Sequence, residues 1–138
     1  MSSKPTTPTM AGLDGSALKG KRGWERIFNA ARYSIDGLRS AWAHEDAFRQ
    51  EILAAGVMVP VALLLPLALI EKIMLISVVV LVLIVELLNT GIEAAVDRDS
   101  LEINSLGKRA KDIGSAAVML SLMLAGGIWI AVLAKNYL

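Results

Sequence analysis

Three long stretches without a formal charge dominate what this chain can become. Residues 52–70 are nineteen uncharged residues in a row, residues 73–85 hold only aliphatic side chains, Met and Ser, and residues 113–134 add twenty-two more uncharged positions. As a helix the first stretch spans about 28 Å, close to the ~30 Å hydrocarbon core of a bilayer. Pro60 and Pro66 interrupt it, which a membrane helix tolerates better than a soluble one. The second stretch continues helically through Glu86 toward Asp97, and only Glu71-Lys72 separates it from the first, so a tight hairpin is expected. A buried soluble core of three helices is the alternative, but uncharged runs this long are hard to solubilise. The expected fold is therefore an all-α membrane protein with transmembrane spans at about 52–70, 73–96 and 113–134. A length of 138 residues allows one domain. With 55% hydrophobic residues, 20% charged residues and no Cys, a disordered chain and a disulfide-built module are both excluded.

The net charge of +1 matters less than where the charges fall. Lys4, Lys19, Lys21, Arg22, Arg26, Arg32, Arg39 and Arg49 precede the first span, and Arg98, Lys108, Arg109 and Lys111 lie between the second and third. Lys72 and Lys135 remain for the other side, a ratio of twelve to two. Positive charge stays inside, so the N-terminus and the second loop are expected in the cytoplasm and the C-terminus outside. Residues 1–22 lack the apolar core of a signal peptide and read as a disordered tail.

Residues 24–42 form a different kind of helix. Trp24, Ile27, Phe28, Ala31, Ile35, Leu38 and Trp42 share one stripe, while Glu25, Asn29, Arg32, Asp36 and Arg39 face the other way. A basic amphipathic helix with Trp at both ends suits the cytoplasmic membrane surface. A soluble helix packed on a partner is the other reading.

Glu86 stands within Val82-Leu83-Ile84-Val85-Glu86-Leu87-Leu88. A carboxylate at the centre of a span costs roughly 2.5–3.5 kcal/mol on insertion scales, so such groups face partners and carry function. Asn89, Glu93 and Asp97 follow at three, seven and eleven residues, within about 80° of one another on the helical wheel. If Ile73 starts at the outer surface, Glu86 lies about 20 Å across and Glu93 about 30 Å across. That predicts a gradient along one stripe, with metal near the surface and proton chemistry deeper. Helix–helix hydrogen bonding is the competing use of such groups, and for Asn89 alone the more natural one. Gly114, Ser115, Ala116, Ala117, Gly126 and Gly127 give the third span a small-residue surface for close packing.

The loop at 98–112 brings Glu102, Asn104, Lys108, Arg109, Lys111 and Asp112 beside the acidic helix end. It suits a polyphosphate, or serves only as a positive-inside anchor. Gly15-Ser16-Ala17-Leu18-Lys19-Gly20-Lys21-Arg22 imitates a P-loop, but Arg22 stands where Ser or Thr must hold Mg²⁺ and no apolar strand precedes it. His44 is the only His, so no His-based metal site exists. The Arg residues are too dispersed to argue for nucleic acid.

Three segments carry a family resemblance. Glu86-Leu87-Leu88-Asn89-Thr90-Gly91-Ile92-Glu93-Ala94-Ala95-Val96-Asp97-Arg98 resembles the signature of the small bacterial integral-membrane diacylglycerol kinases. So do Gly107-Lys108-Arg109-Ala110-Lys111-Asp112-Ile113-Gly114-Ser115-Ala116-Ala117 and Ala41-Trp42-Ala43-His44-Glu45-Asp46-Ala47-Phe48-Arg49-Gln50-Glu51. The resemblance covers roughly residues 23–135, leaving 1–22 as tail and 23–138 as the kinase membrane domain. It implies a homotrimer with sites shared between protomers, in the bacterial cytoplasmic membrane. It also implies transfer of the γ-phosphoryl of Mg-ATP to diacylglycerol, giving phosphatidic acid. Matched by position, Glu86 is the general base, Asn89 supports the site, and Glu45 and Glu93 hold Mg²⁺ on the ATP phosphates. Arg26, Tyr33, Glu102, Asn104, Lys111 and Asp112 fall around the nucleotide. Arg39, Trp42, Ala47, Phe48, Arg49, Gln50, Ser115 and Trp129 line the lipid. Ile35 and Asn104 depart from the family, whose members carry Trp and His there. Undecaprenol is the rival substrate within the same family. A non-enzymatic transporter or regulator with Glu86 as proton site is the rival of another class.

Overall fold

The structure is a computed structural model and describes residues 23–99 and 105–138. Among these residues there are four α-helices: α1 (Trp24–His44), α2 (Asp46–Leu64), α3 (Leu69–Asp99) and α4 (Ser105–Tyr137). The last three are long and apolar enough to cross a membrane. Contacts divide the chain after Asp36. The described part of the first unit is the start of α1, opened by Gly23, whose φ of 83° lies where a side chain is disfavoured. Trp24, Ile27 and Phe28 of the apolar stripe are exposed there.

The second unit, Gly37–Leu138, holds the last turns of α1 and all of α2, α3 and α4. Glu45 is extended and separates α1 from α2. The carbonyls ending α1 lack helical partners. The Arg49 guanidinium supplies two, donating to Trp42 O at 2.8 Å and Ala43 O at 3.2 Å, and also pairs with Asp46.

The first apolar helix is displaced from its expected bounds. It starts at Asp46, runs through Pro60 and stops at Leu64. Pro66 is the reason: the residue before a proline is driven out of the helical region, and Leu65 is extended. The turn therefore falls before Glu71 and Lys72, which sit in the first turns of α3. Lys72 Nζ reaches back to donate to Leu63 O at 2.6 Å, satisfying a carbonyl at the end of α2. At 31 and 33 residues, α3 and α4 are about 46 and 50 Å long. Each exceeds the ~30 Å hydrocarbon core, so their ends reach beyond it.

Within this unit α3 packs against both α2 and α4, whose backbones do not approach each other. At the Glu71 end the gap is filled by Ala62, Leu75 and Val132, with Leu67, Ile76, Ile128 and Trp129 around them. Trp129 Nε1 donates to Leu75 O at 3.3 Å. Glu71 is buried rather than displayed on a hairpin tip. It accepts from Lys135 Nζ at 2.8 Å, Asn136 Nδ2 at 3.1 Å and the Ala68 amide at 3.0 Å. That cluster ties the α2–α3 turn to the end of α4.

Candidate active site

The other polar cluster surrounds the C-terminal half of α3. Glu86 is 4% exposed. One turn on, Asn89 Nδ2 donates to Glu93 Oε1 at 3.3 Å, so the predicted stripe is internally bonded. Asn89 Oδ1 is buried with no partner. It lies against Gly114 of α4, where a Cβ would overlap it, sit 3.4 Å from Asn89 Cγ and come 3.8 Å from Ile92 Cδ1. The missing side chain at 114 is what lets the α4 backbone approach this amide. Close packing of the small-residue surface is seen here within the chain, whereas at Gly126 and Gly127 an added Cβ would meet no atom of this chain within 4 Å.

The α2 helix brings acidic groups to Glu86, and α4 brings an ammonium beside them. Glu45 occupies the N-cap position of α2 without making a capping hydrogen bond, so its carboxylate is not used by the helix. Glu45 and Glu93 both lie within electrostatic reach of Glu86 and of the Lys111 ammonium on α4. Lys111 Nζ donates to Asp97 Oδ1 at 3.0 Å and Oδ2 at 3.2 Å. The structure adds Glu51, which the sequence left outside the first span. Because α2 starts at Asp46, Glu51 sits inside it, close enough to Glu86 for the two carboxylates to interact, with its Oε2 buried and unpartnered. Its sequence signals were being the last charge before the apolar run and closing the Ala41–Glu51 segment of the resemblance. Thr90 Oγ1 is likewise buried without a partner.

Glu45, Glu51, Glu86 and Glu93 thus come together, and the Lys111 cation beside them is bonded to Asp97. Clustered carboxylates repel unless cations or protons join them. No group of three or more His, Cys, Asp or Glu among the described residues is arranged to hold a metal. The pair Glu45 and Glu93 fits a different mode. Mg²⁺ keeps several waters and is held by one or two carboxylates plus substrate phosphates. The donor set suits an ion that arrives with a nucleotide.

The other positions matched by resemblance are placed one by one, each within its own unit. Asp112 is exposed and pairs with Lys108 at 2.6 Å. Arg26 and Tyr33 are exposed on the first unit. Glu102 and Asn104 lie outside the described residues. Arg39 and Trp42 are exposed on the last turns of α1, and Ala47 and Gln50 on the first turns of α2. Phe48 is 2% exposed, a core residue of the chain, and Arg49 is engaged with α1 carbonyls. Ser115 is exposed beside Gly114. Trp129, about 21 Å further along α4, belongs to the Leu75 end.

Comparison with known proteins shows the family of the chain. The profile of the prokaryotic diacylglycerol kinase family matches residues 32–133. A diacylglycerol kinase of Pseudomonas aeruginosa is 48% identical over 121 residues, 88% of this chain and 98% of that protein. One of Escherichia coli K12 is 47% identical over 115 residues, 83% and 94% of the two chains. One of Haemophilus influenzae is 41% identical over 107 residues, 78% and 91%. With three helices fit to cross a membrane and these relatives along most of its length, the chain belongs to the prokaryotic diacylglycerol kinase family and is a membrane kinase, not the non-enzymatic transporter or regulator that Glu86 alone allowed.

Proposed function

We propose that the chain transfers the γ-phosphoryl group of ATP to the free hydroxyl of 1,2-diacylglycerol, giving phosphatidic acid and ADP. The observation that carries this reading is the convergence of Glu45, Glu51 and Glu93 on a buried Glu86 in a helix able to cross a membrane. Phosphoryl transfer asks little of a protein beyond positioning, charge neutralisation and a base for the nucleophile. Glu86 takes the hydroxyl proton as the lipid oxygen bonds to the γ-phosphorus. The bond from that phosphorus to its bridging oxygen breaks, and ADP leaves with the electron pair. Glu45 and Glu93 would hold Mg²⁺ with the nucleotide; when bound, the ion neutralises charge on the β- and γ-oxygens. Asn89 holds the Glu93 carboxylate in place through its hydrogen bond. Lys111 offers an ammonium to the phosphates, and Arg26, Tyr33, Glu102, Asn104 and Asp112 are the further positions around the nucleotide. Arg39, Trp42, Ala47, Phe48, Arg49, Gln50, Ser115 and Trp129 serve the lipid.

Three crossing helices from one chain are too few to enclose both a nucleotide and a lipid, which supports a homotrimer with shared sites. Twelve of fourteen Lys and Arg residues precede the first span or join the second to the third, which supports chemistry at the cytoplasmic face of the inner membrane. The stripe of α1 then lies on that face. Purified protein, γ-labelled ATP and Mg²⁺ are incubated in mixed micelles with either diacylglycerol or undecaprenol. Labelled phosphatidic acid is the expected product. Label in undecaprenyl phosphate alone moves the substrate to the rival lipid, and label in neither refutes the reaction.

A further inference from the structure

The joint between α1 and α2 is a single residue. Glu45 is extended, with φ −113° and ψ 112°, and the buried Ala41 and Phe48 anchor the helices on either side of it. One extended residue leaves two soft dihedrals through which the last turns of α1 and the start of α2 can swing. The last four carbonyls of α1 also lack partners inside the helix. Ala41 O accepts from the Glu45 amide at 2.9 Å. Trp42 O and Ala43 O accept from Arg49 Nη1 at 2.8 and 3.2 Å. Arg49 Nη2 pairs with Asp46, and the Arg49 amide donates to Glu45 O at 3.2 Å. Arg49 therefore spans the joint. Its backbone holds Glu45 from the α2 side, and its guanidinium holds the residues just before Glu45 from the α1 side. The Glu45 side chain, half-buried and making no capping bond, is left free on a backbone held at both ends.

We propose that Arg49 is a positioning residue for the nucleotide: by bridging Trp42, Ala43 and Asp46 it fixes the dihedrals of Glu45 and so aims the Glu45 carboxylate at Mg-ATP. The inference rests on the reading in which Glu45 holds Mg²⁺ with the nucleotide. It gives Arg49 a task on the nucleotide side beyond its place along the lipid. The task calls for a guanidinium. A planar fork presents donors in fixed directions, here to two carbonyls and a carboxylate, whereas an ammonium is a point charge on a flexible stem. Both Nη atoms are engaged within the chain, one of them with an acidic partner, so geometry rather than charge is what Arg49 supplies.

Arg49→Lys keeps the charge and loses the fork, and Arg49→Gln loses both. Turnover is followed with Mg-ATP varied at saturating diacylglycerol, then with diacylglycerol varied at saturating Mg-ATP. In both variants KM for Mg-ATP is expected to rise at least ~10-fold, while KM for diacylglycerol stays within ~3-fold. Binding without chemistry is read from the electron paramagnetic resonance signal of free Mn²⁺, titrated into protein with a non-hydrolysable ATP analogue. Affinity is expected to fall at least ~10-fold in both variants. A folded Arg49→Lys chain with wild-type KM and wild-type Mn²⁺ affinity shows that charge alone suffices and overturns the proposal, leaving the kinase reading intact. A shift confined to the diacylglycerol KM overturns it as well. A wild-type chain that phosphorylates no diacylglycerol overturns both. If neither variant folds, solid-state NMR of the wild-type chain carrying ¹⁵N-arginine and ¹³C-carbonyl tryptophan decides. A guanidinium contact to the Trp42 carbonyl that persists when Mg²⁺ and the analogue bind supports the bridge, and its loss on binding overturns it.

Discussion

Gly114→Ala tests whether the close approach of α4 to Asn89 organises the site. The new methyl would overlap Asn89 Oδ1 and press on Asn89 Cγ at 3.4 Å. The Asn89 side chain has to rotate, or α4 has to retreat. Overpacking of this kind costs about 1–3 kcal/mol. Rotation also breaks the bond from Asn89 Nδ2 to Glu93 Oε1, a neutral donor to a charged acceptor, worth about 1.5–3 kcal/mol. The two terms share one side chain and do not add, so a loss of about 2–4 kcal/mol is expected. Glu93 then loses the amide that orients it, and a misplacement of ~1 Å at a reacting centre can cost about 100-fold. The variant is purified in detergent, its thermal midpoint is measured, and its turnover is followed while ATP is varied. A lower midpoint and a KM for ATP raised at least ~10-fold are expected, because the proposed mechanism has Glu93 hold the nucleotide's Mg²⁺. Adding Asn89→Ala removes the overlapped atom, so it should restore the midpoint and leave the KM high. A Gly114→Ala protein with wild-type midpoint and wild-type KM would refute the reasoning.

Three further outcomes are expected. Glu86→Gln keeps shape and removes the base, so an assembled protein should lose at least ~100-fold in turnover; near-normal turnover removes Glu86 from that role. Glu45→Ala and Glu86→Ala, each inactive alone, are mixed as unfolded chains and reconstituted. Partial activity should return if one protomer's Glu45 serves its neighbour's Glu86, whereas demonstrably mixed assemblies at background activity would confine each site to one chain. The chain has no Cys, so single Cys replacements of Ser105 or Leu138 can be labelled in intact cells with an impermeant thiol reagent. Only position 138 should react from outside, and outside labelling at 105 would reverse the orientation.

Within a helix, which residues share a face follows from the chain's own spacing, so the Glu86, Asn89 and Glu93 stripe was legible from their separations of three and seven residues. The bond between Asn89 and Glu93 obeys the same four-residue rule. The apolar helices were legible because long uncharged runs leave few alternatives. Their boundaries were less so. Pro60 and Pro66 look alike in the sequence, yet one is carried inside α2 and the other lies in the turn beyond it. That difference depends on where the helix finds partners for its last carbonyls, among them Lys72.

Contacts between helices could not be read from spacing, because they depend on which faces meet and how closely. Glu51 looked like a boundary charge, and only the start of α2 at Asp46 and its packing on α3 bring it to Glu86. Glu71 looked like a hairpin tip, yet Lys135 and Asn136, more than sixty residues later in the chain, bury it. Gly114 and Gly126 are the same residue on the same helix. One admits the Asn89 amide and the other opens on a groove, because α3 crosses near the first and α2 stays away from α4 beside the second. The sequence by itself determined the helices and the order of charges along each. The tertiary structure decided which charges share a site and where space remains beside them, since both depend on packing between segments far apart in the chain.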